Sequence, residues 1–157
     1  FVVIVVVAGA VVWVVDYFSP AARSARETQL NYQKYEKAIR DMEAALRADT
    51  YGGATPQETL NLFIDALHKG DVELASKYFA LEDGVVNPRW KEALKKAETE
   101  GKLEGIVTEL SKAVPYPPDI VGESDYKFIV PSSNNGFSTY INLELNRYSG
   151  IWKIESL

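Results

Sequence analysis

The chain has 157 residues, no cysteine and a formal charge of −5, enough for one ordinary domain and an attachment segment. Without cysteine there are no disulfides, no thiolate chemistry, no thiolate metal ligands and no lipoprotein anchor. Residues 16–50 are neutral overall, so the remainder carries the whole net charge; that acidic balance repels phosphate backbones and argues against nucleic-acid binding.

Phe1 to Val15 contains no charged side chain and no hydroxyl group. A helix over this run rises roughly 1.5 Å per residue and falls a little short of a bilayer core. Trp13, Tyr17 and Phe18 extend it into an interfacial aromatic belt. The segment therefore reads as a transmembrane helix over residues 1–18, with the lipid bilayer as its partner. A cleaved signal peptide, with Ala22-Arg23-Ser24 at the cleavage site, is the rival reading. The expected location is the cell membrane, single-pass, with the domain extracytoplasmic.

Residues 19–50 read as a helical stalk. Ser19 is the N-cap and Pro20 the first helical residue. Tyr32, Tyr35, Ile39, Met42 and Leu46 repeat at steps of 3 and 4, and Ala25 and Thr28 continue the seam backwards. That seam packs either on the chain's own domain or, in weak self-association, on a second stalk. Gly52-Gly53 ends the stalk in a linker that permits a bend.

Residues 51–157 read as a soluble α+β domain, helices first and an antiparallel sheet of about three strands last. Thr55-Pro56-Gln57-Glu58 is a capping box, and the helix behind it buries Leu60, Phe63, Ile64 and Leu67. Asp71 caps a second helix, with Leu74, Ala75, Tyr78 and Phe79 inward. Asn87-Pro88 opens a third helix, which Gly101 breaks, and a fourth carries Leu103, Ile106, Val107 and Leu110. The segment from Val114 to Pro118 is too rich in proline for a helix and crosses to the next layer. Strands follow at Tyr126–Val130, at Tyr140–Arg147 and through Trp152 and Ile154. Asn135-Gly136 supplies the hairpin turn, and Lys153 alternates outward from the core face.

Thr55-Pro56, Glu58, Leu60, Phe63-Ile64, Ala66-Leu67, Gly70-Asp71, Ala75 and Tyr78-Phe79 together resemble the opening helix pair of nuclear transport factor two-like domains. Gly150-Ile151-Trp152-Lys153-Ile154 is similar to the closing strand of that superfamily. The resemblance covers residues 55–157 and implies helices closed by a curved sheet into a cone. The anchor, stalk and domain together also resemble small membrane-tethered bacterial proteins that carry such a domain.

No catalytic, cofactor-binding or metal-ligating set is expected. His68 and Asp65 follow buried-stripe positions by one residue and point to the flank or to solvent. A single histidine cannot build a histidine-rich metal site. Trp90, Trp152, Tyr78, Phe79, Tyr126 and Phe128 read as core rather than as a pocket lining. Tyr116 reads either as an exposed contact or as an aromatic packed on the sheet, and Lys91 to Lys102 as a solvated helix face.

The functional expectation is a non-enzymatic, membrane-anchored extracytoplasmic binding or accessory domain of the cell envelope, taking a protein partner or a small apolar ligand. A type IV pilin-like filament subunit is the alternative: the chain resembles pilins in Phe1, its apolar helix, Pro20 and its stalk. Val5, however, stands where pilins carry a glutamate. The third reading is an isomerase- or dehydratase-like enzyme.

Overall fold

The computed structural model describes residues 19–116, 123–131 and 138–157. The expected anchor over residues 1–18 and the Asn-Gly hairpin loop lie outside these. Among the described residues no helix is long and apolar enough to cross a membrane.

Helix α1, Pro20–Ala48, runs 29 residues, about 44 Å at the usual rise. Ser19 caps it, its hydroxyl accepting from the Ala22 N–H at 3.1 Å. Ion pairs Glu36–Arg40 and Lys37–Asp41 brace its surface at i,i+4 spacing. By internal contacts the chain divides at Asp41/Met42, inside this helix rather than at the glycines. In the first unit Tyr32 and Tyr35 stand 61% and 65% exposed, so these seam residues have no cover within their own unit. In the second unit Met42, Ala45 and Leu46 are half-buried. The seam thus splits: its end packs on the domain, and its aromatic part is open.

The second unit begins its helical layer with α2 (Pro56–His68), α3 (Val72–Ser76), α4 (Pro88–Thr99) and α5 (Leu103–Leu110). Each expected N-cap is present: Thr55 accepts from Glu58 N–H, Asp71 from Leu74 N–H and Asn87 from Arg89 N–H. Glu58 reaches back to the Ala54 N–H, one residue beyond the usual capping-box partner, the N-cap Thr55. Gly101 ends α4 with φ +65, a left-handed conformation open to glycine.

Between α3 and α4 lies a hairpin absent from the sequence reading, β1 (Leu81–Glu82) paired with β2 (Val85–Val86). Its turn is Asp83-Gly84, with φ 51 and 82, the two positive values of a type I′ turn.

The main sheet is antiparallel and has four strands rather than three, in the order β3 (Val114–Pro115), β4 (Asp125–Val130), β5 (Thr139–Asn146), β6 (Ile151–Ser156). The additional strand is short and comes from the proline-bearing segment, where Pro115 sits on an edge that needs no N–H. Phe128 faces Ile141 and Leu143 faces Ile154 across the register, and all four are fully buried. Against this face pack Leu60, Phe63 and Leu67 of α2, Leu94 of α4 and Leu110 of α5. Phe79 is wholly buried, edge-on to Phe63 and stacked on Trp90 at 4.5 Å between centroids. Of the aromatic residues expected in the core, Phe79, Phe128 and Tyr78 are buried; Trp90, Tyr126 and Trp152 are half-buried around it.

Candidate functional site

Two polar constellations stand out, and they are opposites. The first is buried. Lys153 alternates onto the sheet face away from the helical core, opposite Glu144, where the sequence pattern places a solvated lysine. It is nevertheless only 1% exposed. Its ammonium donates to the carbonyls of Tyr51 at 2.7 Å and Lys77 at 2.6 Å and pairs with Asp49 Oδ2 at 2.7 Å. Asp49 is itself buried, and its second oxygen accepts from the Tyr51 N–H. Burial pulls the ammonium below the ordinary lysine value, and Asp49 opposes that shift.

Other bonds tie the same stretch to the domain. Thr59 Oγ1 accepts from Gly53 N–H and donates to the Trp152 carbonyl, while Trp152 N–H donates to Gly53 O. Asn146 donates to the Leu46 carbonyl at the end of α1. Gly52 and Gly53 lie within this packing. A Cβ on Gly52 would sit 2.3 Å from the Trp152 carbonyl oxygen, and one on Gly53 2.6 Å from Glu58 Cβ. The glycines permit close approach of backbone to backbone, and the expected bendable linker is instead a fastened junction.

The second constellation is open. A groove of about 380 Å³ runs between α2 and the C-terminal end of α5. Its floor is Leu60, Ile64 and Leu110, its far wall Ser111 and Ala113, and its near ridge Gln57, Asn61 and Asp65. The ridge residues repeat at i, i+4 and i+8, so they stand in one row along α2. Gln57 Nε2 donates to Asn61 Oδ1 at 3.0 Å, which leaves the Asn61 amide hydrogens and the Gln57 oxygen outward. Among the described residues the Asp65 carboxylate has no ion pair and no hydrogen bond. Beyond Leu110, Ile106, Val130 and Pro131 line a smaller apolar hollow of about 200 Å³.

Asp65 lines the groove. His68 lies on the surface, its Nδ1 3.3 Å from Glu104 of α5, both well exposed. Lys91 and Lys95 of the charged run converge on Glu73, and those two lysines hold its carboxyl below the usual range. Tyr116 is half-buried, its ring 6.1 Å from Tyr140 with the Lys127 ammonium over both, and its N–H donates to Lys127 O. Among the described residues no three His, Asp or Glu side chains are placed to share a metal ion. Reading the sequence alone misses Gln57, Asn61 and the buried role of Lys153. The amide row beside the apolar stripe of α2 is the one signal that was present for the groove.

Compared with protein-family models, curated proteins and solved structures, the chain matches no family, no curated protein and no structure.

Proposed function

We propose that the chain is a membrane-anchored, non-enzymatic binding domain of the cell envelope, held outside the cytoplasm by residues 1–18 and mounted on its stalk. The observation that carries this reading is the junction around Lys153. It ties the last turn of α1 to Asn146 of β5 and the residues just after α1 to Lys153 of β6 through charged and polar bonds, which suits a domain that must stay attached to that helix. The Lys153 ammonium is held by two backbone carbonyls and paired with the buried Asp49, so the group is spent on fastening the chain, and this supports a role other than catalysis. The open groove, with hydrogen-bonding groups facing outward, supports binding. The helix pair packed on an antiparallel sheet supports kinship with nuclear transport factor two-like domains.

A second reading, lateral packing of stalks in a pilin-like filament, is favoured by the exposure of Leu30, Tyr32 and Tyr35.

Detergent phase separation of the full chain and of a chain beginning at Met42 tests the anchor. The full chain should enter the detergent phase and the shorter one the aqueous phase. Protease added to intact spheroplasts should digest the domain. An uncleaved full chain in the aqueous phase, or a protected domain, would sink the reading; sedimenting filaments would favour the second.

A further inference from the structure

We infer that the groove between α2 and α5 binds an extended peptide segment carrying a basic side chain. This rests on the reading of the chain as a binding module and names what it binds.

Residues four apart on a helix are separated by about 6 Å along its axis. Two residues of an extended chain advance by about 6.6 Å. A strand laid along α2 therefore meets Gln57, Asn61 and Asp65 at nearly every second residue, over about 12 Å. A compact ligand gains nothing from such a row, whereas a backbone offering an N–H and a carbonyl at regular intervals does. The ridge presents both signs of hydrogen bond: Asn61 Nδ2 donates, and Gln57 Oε1 and the Asp65 carboxylate accept. Across the groove the Ser111 hydroxyl donates to the Val107 carbonyl, which leaves its oxygen as an acceptor. Leu60 and Leu110 beneath the row are buried, and half-buried Ile64 leaves only a small apolar contact there, so the polar row carries the recognition.

Charge decides the occupant. The groove holds one carboxylate, Asp65, and no basic side chain. The sequence as a whole is at −5. An acidic peptide would meet repulsion here, and a neutral one would leave Asp65 unmatched. A lysine or arginine on the peptide supplies the missing partner.

The test is selection of random peptides of roughly eight residues, about 26 Å extended, displayed on phage against the full chain in detergent micelles. Enriched sequences should contain a lysine or arginine. Synthesised, they should bind more weakly as salt rises. They should bind about fivefold more weakly to Asp65→Asn, the loss expected of an exposed ion pair. Asn61→Ala should weaken them as well, and Lys96→Ala, on the exposed side of α4, should not. Failure to enrich any peptide, enrichment without basic residues, or equal binding to Asp65→Asn would overturn the inference. Membrane partitioning is read independently, so a failed selection leaves the anchored reading standing, and a failed anchor leaves the groove standing.

Discussion

The junction and the groove use the same kinds of side chain to opposite ends. At the junction, Lys153, Asp49, Thr59 and Asn146 turn their polar atoms inward, onto backbone groups of other segments. At the groove, Gln57, Asn61 and Asp65 stand exposed beside the half-buried Ile64. Charge and hydrogen-bonding capacity therefore do not distinguish a site from a brace in this molecule. What distinguishes them is whether those capacities are already met. A buried lysine invites a catalytic reading, but held by two backbone carbonyls and paired with Asp49 it is a fastening; the exposed amides have bonds still to make.

Breaking the fastening should give the largest effect. Lys153→Met leaves the Asp49 carboxylate buried and unpaired, and should cost about 3–5 kcal/mol in denaturant unfolding. The double variant Lys153→Met, Asp49→Leu should recover a large part of that loss, since an apolar pair replaces an ion pair. A single variant that melts like the wild type would place the ammonium in solvent.

Next in size is Gly53→Ala, where the new methyl meets Glu58 Cβ and the Thr59 amide. A loss of about 1–3 kcal/mol is expected, read as a lower midpoint with unchanged denaturant slope. A neutral result would restore the bendable linker.

Glu144 sharpens the comparison through pH. Burial first, then the charges of Glu155 and Asp125, raise its pKa in the folded protein above the ordinary 4.5. The folded state therefore holds this proton more tightly than the unfolded one. The stability so gained is fully present below 4.5 and is lost as pH rises through the folded value. Glu144→Gln should match the wild type in acid and be the more stable of the two at neutral pH. Equal melting curves at both would show that the carboxylate is fully hydrated.

The smallest effect belongs to the groove side. His68→Gln removes an exposed pair with Glu104 and should change stability by no more than about 0.5 kcal/mol. A larger change would mean that the α2–α5 contact depends on this pair.

The helices were legible because their signals are local. Thr55-Pro56, Asp71 and Asn87-Pro88 each act within three residues, and each cap forms as its chemistry dictates. Strands β4 to β6 were legible from alternation over the fully buried Phe128, Ile141, Leu143 and Ile154. The β1–β2 hairpin carried its signal, Asp83-Gly84, but with two-residue strands on either side there was too little alternation to see. Strand β3 hid behind Pro115, which is tolerated only because the strand is an edge. Lys153 could not be read at all: the alternation that places it off the core face is correct, and its burial depends on Tyr51, 102 positions earlier. The groove was half legible, since the row on α2 is a matter of spacing and the wall from α5 is a matter of tertiary packing.

The position of Lys153 in the chain also orders events in time. Strand β6 follows every other described element, and it receives hydrogen bonds or gives them to Gly53, Thr59, Tyr78 and Ala80. During synthesis the early helices emerge with their sheet contacts unmade, and the buried Asp49 has no ammonium to pair with until β6 arrives. Closure then joins the earliest and latest segments of the domain in one step. Loops of such length close slowly, so the nascent domain spends its vulnerable period with the apolar stripe of α2 uncovered.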